Sequence, residues 1–132
     1  MSAHFTDISV RARSAELPGL LDAIAALALE LGIAPDDAVR LQLIAEELFA
    51  NTIVHGHRGD SDHAVKVSLS HENKVSTLRY EDDAAPFDLS KIGPKIASTV
   101  EIGGLGISLI RGMCKALRHK RQGERNVTEI DL

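Results

Sequence analysis

Two polar side chains, Glu47 and Asn51, interrupt a largely apolar stretch and lie four residues apart. Residues at this spacing lie above one another on a helix, so the carboxylate and the carboxamide would share a face, which His55 extends by another turn. Mg²⁺ prefers oxygen ligands, so Asn51 could offer it a carbonyl oxygen while Glu47 accepts a proton from a nearby hydroxyl or water. The alternative interpretation is an exposed pair that only solvates the helix.

A glycine-rich run, Gly103-Gly104-Leu105-Gly106, precedes an apolar stretch with the pattern of a helix. Glycines allow the backbone to approach a polyphosphate, and the free N–H groups and the dipole at a helix start favour an anion. The run therefore indicates a phosphate site. The alternative is a flexible turn in front of a core helix.

Asp82 ends a predicted strand over residues 75–82. Side chains alternate between the two faces of a strand, so Leu78, Tyr80 and Asp82 share one face. We expect this face to be the covered one, where the carboxylate would need a hydrogen-bond donor. The alternative is that Asp82 only initiates a turn.

The elements that must position these residues follow from hydrophobic periodicity and from helix and turn signals. One helix is predicted from an N-cap at Ser14 to Gly32, a second from Pro35 to His55 with Gly56 ending it, and a third over 103–117. Strands are predicted over 5–12, 65–69, 75–82, 118–122 and 126–132, and a long functional loop over 84–102. This order predicts an α+β two-layer sandwich: one mixed, mostly antiparallel sheet with three helices on a single face.

The composition is that of a soluble globular protein, with 132 residues, 44% hydrophobic and 26% charged. We expect residues 1–132 to form a single domain. The net charge of −4 argues against direct binding to nucleic acid, which needs clustered cations. The single cysteine, the interrupted apolar runs and the absence of a signal-peptide pattern predict a cytoplasmic protein that does not enter a membrane.

Taken together, these motifs resemble those of the GHKL ATP-binding superfamily, and the chain looks most similar to its small anti-sigma-factor serine kinases. The N-box of that family resembles residues 46–56, its first glycine box resembles residues 81–88, and its second resembles residues 103–111. The resemblance covers most of the chain and implies the Bergerat fold.

The resemblance also implies a site for ATP and Mg²⁺. Glu47 would be the general base, Asn51 the Mg²⁺ ligand and Asp82 the acceptor of the adenine amino group, with the 84–102 segment as the ATP lid. The other nucleotide-binding residues implied are His55, Ala84, Phe87, Gly103, Gly104, Leu105 and Gly106.

The family further implies phosphate transfer to a serine of a STAS-like anti-sigma-factor antagonist, sequestration of a sigma factor, and a homodimer. Two departures bear on turnover: Ala84 and Pro86 replace glycines of the family pattern, and the lid carries Lys91 and Lys95 but no arginine. The alternative function is therefore a nucleotide-gated partner-binding module with little or no kinase activity. A third possibility is a degenerate fold that binds a partner without ATP.

Overall fold

A computed structural model describes residues 5–86 and 112–132 of the chain. Within them, five strands form one sheet in the order β1-β2-β3-β5-β4, and each neighbouring pair is antiparallel. The strands are β1 (Thr6–Arg11), β2 (Ala64–Glu72), β3 (Val75–Asp82), β4 (Ala116–Gln122) and β5 (Arg125–Asp131). The predicted strands are thus confirmed, although most of their ends differ from the predicted bounds by one to three residues.

Two long helices, α1 (Leu17–Leu31) and α2 (Pro35–Asn51), cover one face of this sheet. The core between the two layers is apolar: Leu20 and Ile24 of α1 and Phe49 of α2 are buried in one cluster with Val67 and Leu78 of the sheet. The predicted α+β two-layer sandwich is confirmed. Within the described residues, no helix is long and apolar enough to cross a membrane.

The third predicted helix, over 103–117, lies mostly outside the described residues, although Gly112 and Met113 are helical. Its predicted end is wrong, because β4 already begins at Ala116, which pairs with Asp131. Leu117 pairs with Ile130 and packs against the core from the strand. Two apolar residues such as Ala116 and Leu117 fit the end of a helix as well as the start of a strand. Their pairing with β5 makes them part of the strand.

The start of α1 also differs from the prediction that Ser14 is its N-cap. Ser14 begins a 3₁₀ turn (Ser14–Glu16), and its hydroxyl donates to Asp60 Oδ1 at 3.0 Å instead of capping the helix. Gly32 ends α1 as predicted, in the left-handed conformation with φ 77° that glycine adopts without strain.

The end of α2 departs from regular α geometry just after Asn51. Residues Thr52–Gly56 form a π-helical turn, in which the N–H of His57 donates to the carbonyl of Thr52 at 2.9 Å. The sequence predicted an uninterrupted helix to His55. Such π-turns are rare and occur frequently at functional sites.

Candidate functional site

A cavity of about 90 Å³ opens where the π-turn meets the sheet. Asn51 and His55 are the predicted site residues that line it, whereas Glu47, Asp82 and Ala84 lie outside its wall. The other lining residues come from α2, the π-turn, β3, the segment after β3, β4 and β5: Leu48, Thr52, Gly56, Tyr80, Ala85, Pro86, His119, Asn126 and Thr128.

The carboxylate of Asp82 is buried, 7% exposed, on the covered face, as the alternation of β3 predicted. Its Oδ2 accepts a hydrogen bond from the Thr52 hydroxyl at 2.7 Å, and its Oδ1 accepts one from Asn126 Nδ2 at 2.9 Å. The N–H of Ala84 lies 3.3 Å from the same Oδ1. A carboxylate has about four acceptor positions, so these three bonds leave one position unused among the described residues.

The hydroxyl of Thr52 joins Asp82 to Tyr80, whose phenol oxygen lies 2.6 Å from Thr52 Oγ1. Burial raises the pKa of Tyr80, so its phenol stays protonated. A hydroxyl carries one proton, so a Thr52 that donates to Asp82 must accept from Tyr80. Thr52 Oγ1 also lies 3.0 Å from the carbonyl of Leu48, but the Asp82 oxygen is nearer at 2.7 Å, so the buried relay runs from Tyr80 through Thr52 to Asp82 and fixes the carboxylate in position.

Glu47 and Asn51 each have a buried atom without a hydrogen-bond partner among the described residues: Oε1 of Glu47 and Nδ2 of Asn51. Such an atom costs about 1–3 kcal/mol when it is left unsatisfied. Burial, followed by the nearby Glu46 carboxylate, raises the pKa of Glu47, while His55 lowers it. The unpartnered Asn51 atom is an amide N–H₂ donor, which suits a phosphate oxygen, while its carbonyl oxygen and the Glu47 carboxylate are of the type that suits hydrated Mg²⁺.

Ala84 stands against Gly56 at the end of the π-turn. A Cβ added at Gly56 would lie 2.7 Å from the Cβ of Ala84, so the backbone of residue 56 makes room for this methyl group. The carbonyl of Ala84 accepts from Arg121 Nη1 at 2.7 Å and from Asn126 Nδ2 at 3.2 Å. The methyl thus faces the π-turn, and the segment after β3 is tied to the β4–β5 hairpin.

Several predicted site residues lie outside the described residues: Phe87, Gly103, Gly104, Leu105 and Gly106. The 84–102 lid lies outside as well, apart from residues 84–86. These assignments stay predictions.

The sequence interpretation missed Thr52 and Asn126, which hold Asp82. Thr52 directly follows Asn51, so its place in the motif was a usable signal. Asn126 faces Asp82 across the β3–β5 pair, and finding it requires knowing that β5 inserts between β3 and β4.

Comparison with known proteins bears on the fold and the family. Residues 10–132 match the family described as the histidine kinase-like ATPase domain. A search of curated proteins gave no match. Among solved structures, the chain is similar to the histidine kinase domain of the blue-light activated histidine kinase EL346 from Erythrobacter litoralis, with a TM-score of 0.56 and 18% identity.

That alignment covers 93% of this chain and 61% of the kinase domain, so the chain spans less than two thirds of this structural relative. At this identity the likeness supports the fold. The family match covers nearly the whole sequence. The chain belongs to the histidine kinase-like ATPase domain family.

Proposed function

We propose that this chain binds Mg-ATP and acts as a regulatory protein kinase, transferring phosphate to a serine of an anti-sigma-factor antagonist and sequestering a sigma factor. The observation that carries this proposal is a pair of buried polar atoms one helical turn apart at the end of α2: Glu47 Oε1, an acceptor, and Asn51 Nδ2, a donor, have no hydrogen-bond partner among the described residues and could both face a ligand. Family membership supports the ATP-binding part. We further propose that residues 1–132 form one domain and that the protein acts as a homodimer.

In this proposal Asp82 accepts the amino group of adenine through its remaining acceptor position. Thr52 and Asn126 hold the carboxylate from two sides, so it needs no reorganisation when the base enters. Asn51 and His55, which line the cavity, would face the phosphate side, with Asn51 as the Mg²⁺ ligand. Bound Mg-ATP supplies the electrophilic phosphoryl group.

Glu47 is the proposed general base, which takes the proton from the attacking serine hydroxyl. Its pKa is raised, chiefly by burial, which makes the carboxylate a stronger proton acceptor than a solvated glutamate. The unpartnered Oε1 has an acceptor position available for that hydroxyl.

One observation favours the alternative function, a nucleotide-gated partner-binding module with little kinase activity. Phosphoryl transfer benefits from a cation beyond the metal. The guanidinium of Arg121 lies beside the segment after β3, but it is engaged with the carbonyl of Ala84 and with Asn126 Oδ1. Because its hydrogen bonds tie the segment after β3 to the β4–β5 hairpin, Arg121 is not available to stabilise phosphoryl transfer, which favours the binding module.

The experiment compares four proteins: wild type, Glu47→Gln, Asn51→Ala and a matched control, Glu46→Gln. ATP binding is measured by calorimetry with and without Mg²⁺, and transfer is measured with radiolabelled ATP and a STAS-like antagonist domain. The kinase proposal expects Glu47→Gln to bind ATP but lose transfer by about 10²-fold or more, with Glu46→Gln close to wild type. Asn51→Ala should lose the Mg²⁺-dependent part of the affinity.

The outcomes distinguish the kinase, the nucleotide-gated binding module and the degenerate fold that binds a partner without ATP. Binding of ATP by the wild type with no transfer to any serine supports the binding module and refutes the kinase. A wild type that binds no ATP refutes both and leaves the degenerate fold. Equal transfer by Glu47→Gln and Glu46→Gln refutes the role of Glu47.

A further inference from the structure

A second cluster of polar side chains lies beside the candidate ATP site and plays no part in it. His57 follows the π-turn, His63 precedes β2, and Asp83 follows β3. One ligand atom from each residue lies within 4.8 Å of the other two. Imidazole and carboxylate groups together are the ligand types that zinc accepts from proteins.

His57 is the informative member of this cluster. Only 10% of its side chain is exposed, and its Nε2 is buried without a hydrogen-bond partner among the described residues. That nitrogen points toward Asp83, whose Oδ1 lies 3.5 Å away. A buried ring nitrogen left unpaired is costly, and a metal ion between it and the carboxylate would satisfy it.

The spacing of His57 and Asp83 suits two ligands of one ion. With bonds of about 2.0–2.1 Å, two ligands on a tetrahedral zinc ion lie about 3.3 Å apart. The His57–Asp83 separation of 3.5 Å agrees with this value, whereas His63 Nδ1 and Asp83 Oδ2 are hydrogen-bonded at 2.8 Å, a bond that the ion would replace. The two imidazole rings are stacked, with centroids 4.5 Å apart and planes 10° from parallel, so the more exposed ring of His63 must turn out of this stack before both histidines can direct a ring nitrogen at one ion.

The backbone of the loop that carries His57 and His63 is held in place before any ion arrives. The carbonyl of His63 accepts from the N–H of Ala12 at 2.8 Å, and the N–H of Ser61 donates to the carbonyl of Ala12 at 2.8 Å. The N–H of Gly59 donates to the carbonyl of Ile53 at 2.7 Å. A loop fixed at both ends loses little further entropy on binding, which favours affinity.

Acidic neighbours in the same loop are engaged elsewhere. Asp62 pairs with Arg13 at 2.6 Å, and Asp60 Oδ1 accepts from the backbone and hydroxyl of Ser14. The ligand set is thus two imidazoles and one carboxylate, which is richer in nitrogen than the oxygen sites that Mg²⁺ and Ca²⁺ occupy.

We infer that His57, His63 and Asp83 form a binding site for a divalent transition-metal ion of the zinc class, separate from the Mg²⁺ site proposed at Asn51. The ion ties the loop after the π-turn to the end of β3, adjacent to the Gly56–Ala84 contact. A water molecule or another ligand completes its coordination.

The test is calorimetric titration of the full chain with ZnCl₂, without nucleotide and with excess Mg²⁺ present, so that it does not depend on ATP binding. We expect one zinc ion per chain in the micromolar range or tighter, and a rise in Tm of at least about 5 °C at saturation. Co²⁺ in place of Zn²⁺ should give a visible absorption spectrum from bound nitrogen ligands.

His63→Ala and Asp83→Asn should each weaken zinc binding by about tenfold or more, and His57→Ala should do the same. His63 and Asp83 are partly exposed, so their variants stay interpretable if the His57 variant does not fold. The matched control is His71→Ala, which removes a histidine that contacts Ser76 on the sheet instead, and it should bind zinc like the wild type. Zinc binding only at millimolar concentration, or full affinity in both the His63 and Asp83 variants, would overturn the inference.

Discussion

The Cβ of Ala84 fills the space that a side chain at Gly56 would need, since a Cβ at position 56 would come within 2.7 Å of it. The space between residue 56, at the end of the π-turn, and residue 84 therefore holds one methyl group, which Ala84 supplies. The two positions are complementary: either can carry the methyl group, but both cannot carry it together.

We first predict that Gly56→Ala lowers the free energy of unfolding by about 1–3 kcal/mol, because overpacking a tight contact forces shifts in the backbone. The double variant Gly56→Ala/Ala84→Gly should recover most of that loss. Urea denaturation measures both. Gly19→Ala is the matched control, because a Cβ at Gly19 on α1 meets nothing within 4 Å, and it should be neutral or stabilising. If the double variant lost as much unfolding free energy as the two single variants together, the proposed contact between residues 56 and 84 would be contradicted.

A second prediction concerns the relay from Tyr80 through Thr52 to Asp82. Thr52→Val keeps the shape of the side chain but leaves the Tyr80 phenol and Asp82 Oδ2 without their partner, so it should cost about 2–4 kcal/mol of folding free energy. Thr52→Ser keeps the hydroxyl and should cost less than about 1.5 kcal/mol, mainly for the lost methyl group. Equal losses in the two variants, measured by urea denaturation, would show that the hydroxyl is not the important group.

Glu47 gives a third prediction, in the pH dependence of stability. Burial raises its pKa in the folded state above the ordinary value of 4.5, so the folded protein holds this proton more tightly than the unfolded chain does. The contribution of the protonated Glu47 carboxyl group to folding stability is complete below about pH 4.5, and it is lost as pH rises through the pKa of the folded state. Glu47→Gln keeps a neutral side chain throughout, so its stability relative to wild type should increase from pH 4 to pH 7.

Denaturation of both proteins across that range, without nucleotide or Mg²⁺, checks this expectation. Glu30→Gln, at an exposed glutamate on α1, should track the wild type. A constant difference between Glu47→Gln and wild type would mean that burial does not affect the carboxyl group.

The fourth prediction concerns acid stability of the β4–β5 hairpin. Hydrogen bonds from Arg118, at 2.8 and 2.9 Å, lower the pKa of Asp131 below its ordinary value of 3.8, and Thr77 adds to the effect. The resulting stabilisation is present above about pH 3.8 and is lost as pH falls through the folded pKa. Arg118→Gln should therefore be less stable than wild type at pH 6, and the difference in their free energies of unfolding should become smaller below pH 3.

Lys120→Gln removes a charge of the same sign from the same strand and serves as the control. Its difference from wild type should not narrow with acid in this way. If both variants follow the same profile, net charge and not the Arg118–Asp131 pair sets the acid behaviour.

The sequence predicted the elements well where local chemistry decides them. The bounds of β3 were predicted correctly because its alternation is unbroken from Val75 to Asp82, and Gly32 ended α1 because only a left-handed residue fits there. The π-turn could not be predicted, because five residues are too few to distinguish its period from that of an α-helix. Ser14 was misassigned because its partner, Asp60, is distant in sequence.

The candidate site divides in the same way. Glu47, Asn51 and Asp82 carry signals in their own segments. The partners of Asp82 do not, because Asn126 reaches it only through the pairing of β5 with β3. Long-range strand pairing is a property of the whole chain, and short patterns do not contain it.

The buried bonds to Asp82 have a consequence for how this protein can evolve. The carboxylate proposed to recognise a ligand is the same one that joins the π-turn to β5. A lineage that no longer needed the ligand could not discard Asp82 without also weakening its fold. Retention of this aspartate in a relative is therefore poor evidence that the relative still binds nucleotide. Glu47, whose buried oxygen has no such bond among the described residues, is the better marker of lost or retained activity.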